Sequence, residues 1–449
     1  MPSTVLDSDI FRDMFGSAEM RSVFSDDNLL GCYVEAEVAL AAAQGRLGVI
    51  PGEAADAIAR LAPSVTLDRE ALKHEAENVG YPILGLVRQL SEELGEAGRY
   101  VHWGATTQDI MDTAAVLQIR AGLRIVERDL GAVSAALARL AQKHRDTPMP
   151  GRTHLQQALP ITFGYKCAVW LSMMDRHAER LRELKPRVLV AQFGGAAGTL
   201  ASLGDKGLDV RHEYARELKL GDPPITWHVA RDAVAETVNL LALVTGSLGK
   251  IGFDIMLLMM TELGEAFEPF ASHRGASSTM PQKRNPISSE ILVANAKAVR
   301  QHAGLMLDAM IQDFERATGP WHVEWMAVPE SFILTAGSLA QAKFMLDGLV
   351  VDESRMRKNL DLTQGLIVAE AVMMGLAPHL GRQNAHDIVY AACREALGQG
   401  RSLLDVLKEN PAVSGALAPD RLRALCDPAA YLGMAPDMAD QVVRMRRNP

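Results

Sequence analysis

The chain holds little that would tie it to a metal, a membrane, a nucleic acid or an oxidising compartment. Its four cysteines, Cys32, Cys167, Cys393 and Cys426, stand far apart among 449 residues. That spacing offers neither a disulfide frame nor a thiolate zinc knot, so they read as ordinary buried thiols. There is no HExxH pattern, no P-loop, no GxGxxG after a strand and no GxSxG elbow, so no metal and no cofactor are expected. Basic residues are not in excess: 46 Lys and Arg face 55 Asp and Glu, a formal net charge of -9. A nucleic-acid partner needs a basic face and is not expected, whereas a small anionic substrate needs only a local basic pocket. The most apolar run, Ile255–Met260, is too short to span a bilayer. The start, MPSTVLDSDIFRDMFG, lacks a basic stretch followed by an apolar core. A cytoplasmic location without a membrane partner is the expectation. Aromatic residues make up only 5%, which gives no support to a β-rich fold.

What abounds is alanine and leucine, in a chain that is 48% hydrophobic. Both favour helices, because neither loses much side-chain freedom there. From Val116 the apolar positions run Val116, Ile119, Leu123, Val126, Leu130, Val133, Leu137 and Leu140, spaced alternately by three and four. This is a continuous seam on one long helix that must pack against others. An intrachain bundle explains it, and so does a bundle shared between subunits. Pro148 and Pro150 end it. Further long helices are predicted over 161–184, 229–262, 287–311 and 329–349, the last starting at Pro329. Shorter ones are predicted over 28–47, 67–80 and 83–94. The fold class is all-α, with an N-terminal helical domain over 1–110, a central long-helix bundle over 111–354 and a small helical domain over 355–449.

Four polar segments interrupt this pattern. Gly275–Glu290, GASSTMPQKRNPISSE, resists helix through Pro286 and reads as a polar loop. Amides near Ser277 and Ser278 could cradle an anion, and Lys283 and Asn285 could hold a carboxylate; an exposed connector is the plainer explanation. Val101–Asp112 places a histidine, two threonines and two aspartates ahead of the seam helix. Thr107 or Asp109 capping that helix accounts for it, as does a substrate carboxylate at the Thr106–Thr107 amides. In Gly151–Gln157, His154 is of the residue type suited to assist proton transfer, although a lone histidine is more often structural. Asp313–Trp325 places Arg316 and His322 in a connector between helices, with two tryptophans.

Ser277–Pro286, SSTMPQKRNP, resembles the signature loop of the fumarase/aspartase superfamily, and the other segments follow in the expected order along nearly the whole chain. The resemblance implies a three-domain helical fold and a homotetramer whose active sites combine three subunits. Such enzymes cleave a bond beta to a carboxylate. Ser277 falls on the catalytic base, Lys283 and Asn285 on carboxylate binding, and Ser278 on loop geometry. His154 falls on a residue that assists the leaving group, and His102 on a second substrate-site histidine. Thr106, Thr107, Gln108, Gln156, Met280 and Arg316 complete the expected substrate contacts, with a small di- or tricarboxylate as substrate. The signature usually has Gly before the paired serines, where this chain has Ala276.

Two branches of the superfamily compete. HWGATTQDIMDT, GRTHLQQALPITFG and ERATGPWHVEW are similar to the 3-carboxy-cis,cis-muconate cycloisomerase branch. Met14-Phe15 replaces the Arg-Tyr pair of adenylosuccinate lyases, which argues against a nucleotide phosphate. Thr107-Gln108-Asp109 replaces the Arg-Asn-Asp stretch of argininosuccinate lyases. The first expectation is therefore lactonisation of a carboxylated muconate. The alternative is a C–N lyase releasing fumarate from an N-substituted aspartate, which His154 keeps open.

Overall fold

A computed structural model describes residues 4–316 and 318–447. The chain forms two compact units. One comprises Met1–Leu130, His177–Leu248 and Ala294–Ala340, the other Gly131–Arg176, Gly249–Val293 and Gln341–Pro449. Every boundary between these stretches falls inside a continuous helix.

The architecture is predominantly helical. The seam helix runs Thr107–Lys143, about 55 Å at 1.5 Å per residue. All eight predicted seam residues are buried, from Val116 to Leu140. Within the first unit Gly122 lets this helix meet Phe332 closely, since a Cβ there would lie 2.7 Å from the ring. The other long helices are Phe163–Val188, Asp232–Leu258, Ile287–Asp308 and Gly319–Asp347. By length and composition Asp232–Leu258 could cross a membrane. Its buried Val238, Leu241, Val244, Leu248, Ile251 and Ile255 mark a core helix instead.

The first unit's core is built on Asp26–Arg46, which Ser25 starts by accepting the Asn28 N–H at 3.3 Å. Tyr33, Ala36, Leu40 and Ala43 pack there with Ile58, Leu86, Leu90, Ile110, Phe193 and Tyr214. In the second unit a C-terminal core joins Val372, Leu376, Val389, Leu403, Leu407, Val413 and Leu422. None of the four cysteines is in a disulfide; Cys32 and Cys167 are buried and the other two half-buried. Burial pushes the Cys32 thiol up to about 12.

Two expectations are corrected. The last long helix begins at Gly319, not Pro329, and carries Pro329 inside. Pro320 sits in its first turn, where the missing N–H has no helical partner to lose, and the Asp313 carboxylate accepts the Thr318 N–H just ahead. His322 therefore lies on a helix and not in a connector; Ala317, within ERATGPWHVEW, lies outside the described residues. Secondly, the break between helices that holds GRTHLQQ is not irregular but a hairpin. Pro148–Thr153 pairs antiparallel with Gln156–Thr162 as a hairpin. A second, short pairing joins Ala266–Phe267 to Val350–Val351.

Candidate active site

In the first unit, the start of the 107–143 helix is organised by Asp109. One oxygen of its buried carboxylate accepts the Thr106 and Gly195 N–H groups, both at 2.9 Å. The other accepts Gly194 N–H at 2.9 Å and meets His228 Nε2 at 2.7 Å. Asp109 thus reaches back over the first turn and caps the helix. The Thr106 amide is committed to this bond, which supports the capping account of this segment over a substrate carboxylate at that amide. The Thr106 hydroxyl is half-exposed and accepts a hydrogen bond from Arg316. Thr107 opens the helix half-buried, and Gln108 is turned inward: its amide donates to Asp112 at 3.1 Å and to the His228 carbonyl at 2.9 Å.

One turn along lies a buried charge cluster. Arg231 forms a fork to Asp112 at 2.8 and 2.9 Å and a second fork to Glu324. Trp321 Nε1 donates to Asp112 at 3.1 Å, and Trp227 stacks on the guanidinium at 4.9 Å. Burial raises the Glu324 carboxyl, Arg231 opposes that, and nearby Asp112 adds to it, leaving the group above the usual carboxylate range. Asp112 and Glu324 line a cavity of about 420 Å³ walled by Phe24, Tyr33, Trp321 and Trp325.

His102 precedes this helix with a left-handed backbone, φ 61°. The buried Glu37 carboxylate accepts its N–H at 3.0 Å and meets its Nδ1 at 2.6 Å. Burial pulls the imidazole down, but the charge of and hydrogen bond to Glu37 raise it further, so it stands above the ordinary histidine value.

The second unit holds the remaining candidates. His154 and Leu155 form the two-residue hairpin tip, both left-handed at φ 51° and 62°, and both exposed. Paired positive φ angles are those of a type I′ turn, usually made by Asn and Gly. Gln156 is exposed beside them. The hairpin is fixed just behind its tip: Arg152 forks onto buried Glu265 at 2.8 and 2.6 Å, Asn359 donates to the same carboxylate, and Gln157 donates to the Asn359 carbonyl.

The signature loop is clamped where it leaves and re-enters the fold. Asn285 N–H donates to Gly275 O at 2.9 Å, and Ala276 bridges Arg284. Gly275 has φ 71°, and a Cβ there would lie 2.5 Å from Asn285 O. The need for glycine thus falls at position 275, which explains why Ala276 is tolerated. Beyond the loop, Glu268 accepts the Ser288 and Ser289 N–H groups at 3.1 and 2.8 Å and caps the next helix. Within the loop, Ser277 Oγ accepts Met280 N–H at 3.0 Å and Thr279 N–H at 3.3 Å. Two amides aimed at one hydroxyl oxygen favour its anionic form. Ser278, Met280 and Lys283 are exposed and Asn285 half-buried. Among the described residues Lys283 has no ion-pair partner.

The expected residues thus fall into two groups. His102, Thr106, Thr107, Gln108 and Arg316 are in the first unit; His154, Gln156, Ser277, Ser278, Met280, Lys283 and Asn285 are in the second. Among the described residues no three His, Cys, Asp or Glu side chains gather to hold a metal ion.

Comparison with known proteins decides the family. Residues 15–300 match a family model described as Lyase, and residues 365–442 match the adenylosuccinate lyase C-terminus. The chain belongs to the fumarase/aspartase superfamily. A crystal structure described as fumarate lyase from Mesorhizobium sp. BNC1 is 59% identical, covers 96% of this chain and 98% of its own, and superposes with TM-score 0.91. The 3-carboxy-cis,cis-muconate lactonizing enzyme from Pseudomonas putida is 43% identical, with TM-score 0.93 over 98% and 99% of the two chains. The trans-aconitate decarboxylase 1 of Mycosarcoma maydis is 48% identical over 96% of this chain and 88% of its own.

Membership of this superfamily makes the chain an enzyme of lyase or isomerase chemistry. The contacts around the 102–112 segment add residues that carry no local signature. Glu37, Gly194, Gly195, His228, Arg231 and Glu324 hold the 102–112 segment in shape but lie in ordinary helical or loop sequence. Their partners are 65 to 119 residues away, so no local pattern marks them.

Proposed function

We propose that the protein is a fumarate-releasing lyase acting on an N-substituted aspartate. The observation that carries the reaction class is Ser277 Oγ under two backbone amides in the signature loop. As an alkoxide, Ser277 takes the proton from the carbon next to the substrate carboxylate. Lys283 and Asn285 grip that carboxylate, which gathers negative charge as the proton leaves. The electron pair forms the double bond of fumarate and expels the nitrogen from the adjoining carbon. His154, at an exposed hairpin tip, gives a proton to the departing nitrogen, and His102 and Arg316 face the remaining polar groups. The active enzyme is a homotetramer in which segments of three subunits complete each site.

The fumarate-releasing reading is better supported than lactonisation. The relative of 59% identity carries the description fumarate lyase. An N-acetyl-S-(2-succino)cysteine lyase of Dickeya dadantii is 42% identical over 99% of this chain and 98% of its own, which favours expulsion of a heteroatom from a succinyl group. The cycloisomerase reading keeps a specific support: the 3-carboxy-cis,cis-muconate cycloisomerase of Pseudomonas aeruginosa is 47% identical over 96% of this chain and 95% of its own. Incubation with N-substituted aspartates, with fumarate followed by absorbance, tests the first reading; consumption of carboxymuconate without fumarate supports the second.

A further inference from the structure

We infer that Glu37 is a positioning residue for His102: its buried carboxylate holds the backbone N–H and the ring by Nδ1 and presents Nε2 to the substrate. The inference deepens the proposed function, because it rests on His102 facing the substrate.

The geometry begins with the helix Asp26–Arg46. Glu37 and Gln44 are seven residues apart, two turns along one helix face. They grip consecutive residues of the segment ahead of the 107–143 helix. Gln44 donates to the Trp103 carbonyl at 2.6 Å. Glu37 takes both the backbone N–H and the Nδ1 of His102, at 3.0 and 2.6 Å. A left-handed backbone strains a histidine, and the bond from its own N–H to Glu37 offsets that strain. The backbone position and the ring orientation are therefore set by one carboxylate.

The two side chains differ in exposure. Glu37 is wholly buried among Tyr33, Val34, Ala36 and Leu40, while 20% of the His102 side chain remains accessible. Among the described residues, His102 is the one ion-pair partner of Glu37. A carboxylate placed so deep is costly unless a cation pairs with it. That requirement favours imidazolium. The charged groups acting on the ring are Glu37, from the 26–46 helix, and Asp109, from the 107–143 helix, and both raise it. Tyr214, on the helix Gly207–Glu217, feels the same two carboxylates. With Nδ1 bound to Glu37, only Nε2 is left for a ligand, and Glu37 acts on the reaction through the ring without touching the substrate.

Glu37 lies mid-helix in an alanine-rich stretch, 65 residues from its partner, and nothing in its local sequence marks it.

The test combines histidine-selective NMR with pH–rate profiles. In the wild-type protein, His102 is assigned by its loss in His102→Asn. It is expected to titrate above an ordinary histidine, with Nδ1 bonded throughout. In Glu37→Gln the His102 titration is expected to move down, and Glu37→Asp to restore part of the shift. With a turned-over substrate, Glu37→Gln is expected to lower kcat about 10- to 100-fold and to move the limb of the profile that His102 controls, with little change in KM. Titration of wild-type His102 at or below the ordinary value overturns the inference even where Glu37→Gln does not fold. An unmoved titration in a folded Glu37→Gln protein overturns it too. If His102→Asn keeps full activity while the NMR shift is present, the role of His102 in the proposed function fails and the Glu37–His102 coupling stands.

Discussion

Ser277 Oγ lies 3.0 Å from the Met280 amide nitrogen and accepts its N–H, inside a loop whose ends are closed by the Asn285 N–H on Gly275 O. A serine hydroxyl is a feeble base in water, and a turn that aims amides at its oxygen is one way to lower the cost of the alkoxide. The same geometry would serve as an ordinary serine turn, so substitution has to separate the two roles. Ser277→Ala is expected to lower kcat by about 1000-fold, the scale of a lost general base, with thermal unfolding unchanged within a degree or two. A matching fall in stability would assign Ser277 to loop structure instead.

The Arg231 cluster predicts a different signature. Replacing Arg231 by leucine leaves Asp112 and Glu324 buried without their cation, at a cost of about 3–5 kcal/mol, readable by urea unfolding. The pH dependence follows from the raised Glu324 carboxyl. The native state holds that proton to higher pH than the unfolded chain does. Stability from this group therefore falls as pH rises from the unfolded carboxylate value through the native one. Arg231→Leu should recover stability on moderate acidification more than the wild type does. Equal slopes in the two proteins would contradict this.

Asp109 joins Thr106, Gly194, Gly195 and His228 in one buried knot. Asp109→Asn puts an amide NH2 among backbone donors, and about 2–4 kcal/mol of stability should go with it. Because Thr106 is held by the same carboxylate, KM should rise as well. Denaturation and steady-state kinetics on one preparation read both effects.

Much of the fold was legible in the sequence for a simple reason. The 116–140 seam repeats at helical period over seven turns, and no competing pattern survives that length. The signature loop was legible because prolines and small hydroxyls break the helical pattern around it. The hairpin was not, because its tip is His154-Leu155, where the usual turn chemistry would place Asn or Gly. Pro329 misled because proline was read as a helix start, while Pro320 and Asp313 set the real one. The Glu37, His228 and Arg231 contacts were invisible because they depend on tertiary pairing between distant helices.

The hairpin tip gives its own prediction. Leu155 is 79% exposed with φ 62°. Glycine relieves about 1–2 kcal/mol of left-handed strain and returns about 0.4–1 kcal/mol through a looser unfolded chain. Leu155→Gly should therefore stabilise the protein by about 0.5–1 kcal/mol in urea unfolding. A stabilised protein with reduced kcat would indicate that a stiff tip serves the placement of His154; destabilisation would contradict the strain argument.

The most direct measurement quantifies fumarate and free amine from a panel of N-substituted aspartates, with wild-type and Ser277→Ala proteins side by side. Equimolar fumarate and amine from at least one substrate, cut by about 1000-fold in the variant, is the predicted result. Lactonisation of carboxymuconate with no fumarate from any aspartate, or equal rates from both proteins, would contradict the account.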